Sequence, residues 1–273
     1  MPLTPTETRS ALAELGRKPD KKLGQNFLVD GNVARASLAM AGLGESETVV
    51  EIGPGLGTLT GLLLDAGHSV HAIELDSRLA GRLKKVFAEE SEKGRFHLVE
   101  GDAVKHPIGD LPDEVVDFHV VANLPYAISS PWLDALLATK RLPVRMVLML
   151  QKEAAERYLA EHGSKSYGAL AICLSAAYQA KETRSVSRKC FHPVPAVDSV
   201  LLRLDRVDFP FSYSKEAHSL VRNLFTRRRK QLGSLAKAES SENQARVEAW
   251  LEKVKLSPAL RPEQVASAFW RSL

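Results

Sequence analysis

Val49-Val50-Glu51-Ile52-Gly53-Pro54-Gly55-Leu56-Gly57 is an apolar run that ends in three alternating glycines. The run reads as a buried strand and Thr58–Leu64 as the helix after it. Glycines at such a junction let the backbone take positive φ and approach a ligand closely. In open α/β sheets, ligands bind outside the carboxyl ends of the strands. The same alternation recurs on either side: Ser69–Leu75, Phe96–Glu100, Phe118–Ala122 and Arg145–Leu150 read as strands. Leu59–Ala66, Arg78–Phe87 and Pro131–Leu137 read as helices between them. This order predicts an α/β fold with a parallel sheet covered on both faces. Tyr167–Tyr178 reads as a further helix, and Ala180–Val186 and Ser199–Leu204 as two closing strands.

After Asp208-Phe209-Pro210 the strand signal stops, and Lys215–Arg229, Glu242–Lys253 and Pro262–Ser272 read as amphipathic helices. The expected organisation is an N-terminal extension over 1–20, a sheet domain over 21–206 and a small all-α domain over 207–273. The extension reads as a short helix (Glu7 to Leu15) or a loose end. Charge follows the division: residues 1–180 carry 19 Lys and Arg against 23 Asp and Glu, whereas residues 181–273 carry 18 against 10. A basic C-terminal segment behind a mildly acidic body predicts a polyanion partner on that side, against the alternative of a solvated basic surface. Two cysteines, Cys173 and Cys190, make neither a disulfide framework nor a zinc cluster. Met1-Pro2-Leu3-Thr4-Pro5 lacks the basic-then-apolar order of a signal peptide, and no apolar stretch approaches the ~18 residues of a membrane span. A soluble cytoplasmic protein is expected.

About twenty residues past the glycine turn, Glu74 closes the second strand, where a carboxylate can accept from both hydroxyls of a ribose. Asp102 follows the third strand in Glu100-Gly101-Asp102-Ala103, placed to accept from an adenine amino group. A dinucleotide site is the competing reading, but it uses G-x-G-x-x-G to seat a pyrophosphate at a helix N-terminus. Here the order is G-x-G-x-G, and Pro54 removes one N–H donor. S-adenosylmethionine has no pyrophosphate and carries a sulfonium cation, which suits an acidic pocket with fewer N–H donors. No metal is expected: His68, His71, His97 and His106 have no metal-site spacing and read as surface or loop histidines.

Asn123-Leu124-Pro125-Tyr126 follows the fourth strand. Asn123 offers a side-chain carbonyl, the Leu124–Pro125 peptide a backbone carbonyl and Tyr126 a flat π-face. Two acceptors and a stacking plate suit an exocyclic amine whose lone pair must leave conjugation. The plainer reading is a strand followed by a proline turn.

The chain resembles the ribosomal RNA adenine dimethyltransferase family, in its bacterial branch acting on 16S rRNA. The resemblance is carried by Lys21-Lys22-Leu23-Gly24-Gln25-Asn26-Phe27-Leu28, Glu51–Gly57, Ile73-Glu74-Leu75-Asp76, Gly101-Asp102-Ala103 and Asn123–Tyr126. It continues in Met149–Glu153, Ser166-Tyr167-Gly168, Phe191–Ser199, Arg227–Leu232 and Arg261-Pro262-Glu263. It implies a Rossmann-like, class I S-adenosylmethionine-dependent methyltransferase sheet with a small helical domain. It implies donor contacts at Asn26, Leu28, Gly53, Glu74, Asp102 and Asn123, with Gly55 and Ala103 beside them. The base would stack on Tyr126 and Phe191, and two methyl groups per amine are implied by the family alone. Lys21, Lys22, Arg222 and the run Arg227-Arg228-Arg229-Lys230, read as lying on a helix, are the expected RNA contacts. The implied substrate is a pair of adjacent adenosines near the 3′ end of 16S rRNA, within the 30S subunit or its precursor. A monomer with a part in subunit assembly is expected.

Two departures stand out: Ala127 where the family often has a polar residue, and Ala196 where a lysine is usual. Other functions remain open at this point. They are a non-catalytic RNA-binding assembly factor and the antibiotic-resistance branch that methylates large-subunit rRNA. A DNA adenine methyltransferase is disfavoured, because no sequence-reading module is evident.

Overall fold

The computed structural model describes residues 3–16, 18–20 and 23–273. Among the described residues nine strands form, in chain order: β1 Phe27–Leu28, β2 Thr48–Ile52, β3 Ser69–Glu74, β4 Phe96–Glu100, β5 His119–Asn123, β6 Arg145–Gln151, β7 Tyr178–Val186, β8 Phe191–His192 and β9 Ser199–Arg206. Seven of them make one sheet in the order β4-β3-β2-β5-β6-β9-β7. The pairs β2–β3, β3–β4, β2–β5 and β5–β6 are parallel, and β9 runs antiparallel to β6, with Arg145 opposite Asp205 and Gln151 opposite Ser199. The α/β, Rossmann-like expectation holds. β2 is the point where the strand order reverses, since the chain builds outward to β3 and β4 and then returns to place β5 on the other side. A crevice opens at such a reversal, because the flanking crossover connections diverge to opposite faces.

The strands form where apolar residues run without a polar break. Val49, Val50, Val120, Val121, Met146, Val147 and Leu148 are all fully buried, as a parallel sheet covered on both faces requires. Helices are set by their caps. The Asp76 carboxylate accepts from the N–H groups of Arg78 and Leu79 and starts Ser77–Val86, and Asp30 does the same for Gly31–Ala41.

The chain groups by its own contacts into two units. One comprises residues 1–136, 141–154 and 180–206, and the other 137–140, 155–179 and 207–273. The second unit is helical and organised on aromatic residues. Trp270 stacks on Trp250 with centroids 4.8 Å apart and meets Phe225 at 5.6 Å, while the Tyr167 hydroxyl donates to the Val265 carbonyl at 3.1 Å.

Several expectations change. Pro262–Ser272 is not one helix but a 3₁₀ turn over Pro262–Gln264 and a short helix over Ser267–Trp270. The basic run does not lie on a helix: Lys215–Thr226 ends before it, and Arg227–Lys230 form a turn. The two-residue ribbon of β1 on β8 was not anticipated, nor were the helices Gly31–Ala41 and Lys152–Tyr158. His68 and His71 are buried rather than superficial, and His71 in β3 stacks on His97 in β4 at 4.3 Å. The pairing follows from register, since parallel β3 and β4 place the two imidazoles side by side. Among the described residues, no helix is long and apolar enough to cross a membrane.

Candidate active site

The carboxyl ends of β2, β3, β4 and β5 converge on a cavity, and the loops that leave them supply its walls. Glu51, Gly53 and Gly55 come from β2 and its turn, and Glu74 from β3. Asp102 and Ala103 follow β4, and Asn123 to Tyr126 end β5. The segment Leu23 to Leu28 closes the remaining side. Asn26, Leu28, Gly53, Gly55, Glu74, Asp102, Ala103, Asn123, Leu124, Pro125 and Tyr126, all singled out from the sequence, are therefore brought together.

Two glycines make this closure possible. Gly53 has φ +65°, and a Cβ there would lie 2.9 Å from Pro125 Cγ. Gly24 has φ +67°, and a Cβ there would lie 2.9 Å from the Ala127 backbone nitrogen. Both positions combine left-handed backbone with close approach to the loop after β5, which only glycine permits.

The acids are held by the backbone. Glu74, almost fully buried, accepts from Gly55 N–H at 3.0 Å through one oxygen and from Asp76 N–H at 2.9 Å through the other. The glycine turn is thereby tied to the end of β3. Burial raises the Glu74 pKa, and these two amides oppose the shift. Asp102 accepts from Val104 N–H at 2.9 Å. Glu51 is the deepest of the three, receives the Thr60 hydroxyl at 2.6 Å, and burial pushes its pKa up to about 8.

Asn123 Nδ2 donates to the Asn26 carbonyl at 3.0 Å, and Asn26 Nδ2 donates to the Gly24 carbonyl at 3.1 Å. A carbonyl can only accept, so the nitrogen of the Asn123 amide must face Asn26 and its oxygen is the group left for the cavity. The Tyr126 hydroxyl lies 2.6 Å from Ser199 Oγ, and Ser199 is itself buried at the start of β9. Burial raises the pKa of this phenol, so it stays protonated at neutral pH.

A family described as ribosomal RNA adenine dimethylase matches residues 16–269. The chain belongs to the ribosomal RNA adenine dimethylase family. It is 50% identical over its whole length, and over 98% of the relative, to the ribosomal RNA small subunit methyltransferase A of Opitutus terrae. Among solved structures it is similar to a dimethyladenosine transferase from Plasmodium falciparum, with a TM-score of 0.67 and 29% identity over 89% of this chain and 94% of that one. It is also similar to the 23S rRNA methyltransferase ErmE, with a TM-score of 0.60 and 26% identity over 90% and 98% of the two chains.

Ribosomal RNA adenine dimethylases depend on S-adenosylmethionine, which is therefore the cofactor. The residues present fit it. The glycine turn lines the cavity without side chains of its own at Gly53 and Gly55, and three carboxyl groups at successive strand ends suit a cationic ligand. Glu51, Glu74, Asp102 and the Asn26–Leu28 segment are the groups that would hold it.

Phe191 requires a correction. It was expected to offer a second stacking face, yet it is 1% exposed and does not line the cavity. Its ring packs with Leu28, Val186 and Leu201 in the sheet core, because pairing of β8 with β1 turns it inward. The basic residues also divide. Arg228 donates to the Tyr167 carbonyl at 3.0 Å and pairs with Glu263 at 3.4 Å, which makes it a fastening within the helical unit. Arg227 lies 3.8 Å from Glu239. Arg222, Arg229 and Lys230 are exposed. Lys21 and Lys22 lie outside the described residues. Ser199 and the Asn26 carbonyl were missed as site groups. Ser199 closes the Phe191–Ser199 motif, but nothing local in the sequence shows what its hydroxyl meets.

Proposed function

We propose that this chain transfers two methyl groups to each of two adjacent adenosines near the 3′ end of 16S rRNA. It would act as a monomer in the cytoplasm, on the 30S subunit or its precursor, with a part in assembly of that subunit. The chemistry as far as rRNA adenine dimethylation belongs to the family; the choice of small-subunit rRNA rests on the 50% identity to a small-subunit enzyme. The observation that carries the target site is the Asn123–Asn26 hydrogen bond, which leaves an acceptor oxygen for an amine.

The amino lone pair of adenine is delocalised into the ring, so the nitrogen is a weak nucleophile. In the first transfer Asn123 Oδ1 and the Leu124 carbonyl accept its two hydrogens and favour the pyramidal nitrogen; in the second, one of them accepts the single hydrogen left, and each methyl gained is matched by one proton lost from the nitrogen to solvent. Tyr126 provides a plate for the purine, with its ring angle fixed through Ser199. S-adenosylmethionine supplies an electrophilic methyl group on a sulfonium. The protein contributes alignment and dipoles already in place before reaction. A base must leave its stack to enter such a pocket, and contact with Tyr126 offsets part of that cost. The exposed cations Arg222, Arg229 and Lys230, with Lys21 and Lys22, contact phosphates and fix register without reading sequence.

The test is incubation with radiolabelled S-adenosylmethionine and, separately, unmethylated 30S particles, 50S particles and duplex DNA. Label is expected in the 30S arm, on adjacent adenosines as dimethyladenosine. Label confined to the 50S or DNA arm refutes the substrate, and tight 30S binding without label turns the reading to an assembly factor.

A further inference from the structure

A second recess forms where the helix Pro5–Glu14 and the segment after it meet His192 of the β1–β8 ribbon. Arg9, Lys18 and His192 line it, with Leu12 and Pro19 as apolar contacts, and no carboxylate lines it among the described residues. It is fixed relative to the cavity in three ways. His192 is the register partner of Phe27, which lines the cavity. Ala11 and Leu12 of the helix Pro5–Glu14 pack on Phe27, Leu56 and Leu79, all of which also line the cavity. Arg78 Nη1 donates to the Leu15 and Gly16 carbonyls at 3.1 and 3.3 Å and holds down the end of that helix. A Thr4–Glu7 capping box fixes its start.

We propose that this recess binds the nucleotide of the RNA strand next to the target adenosine. The inference rests on the reading of the Asn123–Tyr126 cavity as the target pocket and adds a grip on the strand beside it. The charge is right for a phosphate, since Arg9 and Lys18 are both exposed and a guanidinium presents a fork of donors to an anion. Among the described residues, Arg9 donates to Thr6 Oγ1 at 3.3 Å, a contact within its own helix. Leu12 and Pro19 supply apolar surface for a sugar or base, and His192 supplies an imidazole at the edge. The position is right as well. The cross-strand pair of His192 with Phe27 joins the lining of the recess to the cavity wall, so a strand whose base has turned inward can reach both sites. Such a contact makes the neighbouring backbone a fixed pivot for the extruded base.

The variant is Arg9→Glu/Lys18→Glu in the full-length enzyme, with Lys84→Glu/Lys85→Glu on the helix Ser77–Val86 as a control of equal charge change. Three quantities are read for each: S-adenosylmethionine affinity by calorimetry, KM for unmethylated 30S particles, and the salt dependence of 30S binding. The first variant is expected to raise KM at unchanged donor affinity. Its log–log salt slope should become shallower by about 0.7, the value for one single-strand phosphate contact. An unchanged KM and slope, or a change matched by the control, overturns the proposal. So does a rise in KM that merely tracks lost donor affinity. Wild-type enzyme that fails to label 30S particles would instead sink the underlying substrate reading, so the two failures are distinguishable.

Discussion

Asn123 and Asn26 lie 97 residues apart in the chain, and a 3.0 Å hydrogen bond from the side chain of one to the backbone of the other decides which atom of the amide faces the cavity. Replacing Asn123 with Ala removes the acceptor and is expected to lower kcat about 10²- to 10³-fold, the range for loss of one preorganised polar group. RNA affinity should be largely unchanged. Asn123→Asp keeps two oxygens but sets one against the Asn26 carbonyl, so it should recover little of the loss. Single-turnover methylation checks both, and near-native turnover in Asn123→Ala would refute the role given to this residue.

Tyr126 and Ser199 give a second prediction. The hydroxyl pair at 2.6 Å sets the angle of the ring, so Ser199→Ala and Tyr126→Phe remove the same contact from opposite ends. Each should slow transfer by about fivefold, equivalent to ~1 kcal/mol, and the double variant should be no slower than either single one. Tyr126→Ala loses the plate itself and should be far worse. Additive effects in the double variant would show that the two hydroxyls act separately.

Glu51 predicts a pH dependence. An ordinary glutamate titrates near 4.5, and here burial raises the folded value to about 8. Between these limits the folded chain keeps a proton that the unfolded chain releases, so this group's contribution to stability falls as pH rises from about 4.5 to about 8 and then levels off. Glu51→Gln retains the acceptor for Thr60 and should show a flatter profile in urea denaturation across that window. A cation entering the cavity favours the ionised acid, so donor binding at pH 7 should release protons, seen by calorimetry in buffers of different ionisation heat. Identical profiles and no proton release would count against a protonated Glu51.

Within the basic turn, Arg228 and its neighbour Arg229 should separate stability from binding. Arg228→Ala loses contacts to Tyr167 and Glu263 and should lower the melting temperature. Arg229→Ala/Lys230→Ala should leave melting unchanged and weaken 30S binding in a salt-dependent way. The reverse pattern would mean that Arg228 is the RNA contact.

Much of the site could be read in advance because its residues sit at strand ends, and strand ends are marked locally. The apolar run Thr48–Ile52 stops at glycines, Ser69–Glu74 stops at an acid, and His119–Asn123 stops at Asn-Leu-Pro-Tyr. Parallel packing then brings those ends together without further information. Phe191 shows where such reading fails. Beside two prolines it looks like a presented ring, but a two-residue pairing with Leu28, distant in sequence, turns it into the core.

The sequence by itself determined the sheet, the glycine turn and the chemical identity of the groups around the cavity, because hydrophobic period and backbone permission act over a few residues. Only the tertiary structure decided how those groups are used: which face Asn123 presents, what steadies Tyr126, whether Arg228 binds RNA or fastens its own unit, and that Arg9, Lys18 and His192 share a recess. Each of these depends on a hydrogen bond, ion pair or register between segments tens to nearly two hundred residues apart. Such partners leave no mark in the local pattern, since a single polar contact constrains geometry at its two ends and nothing in between.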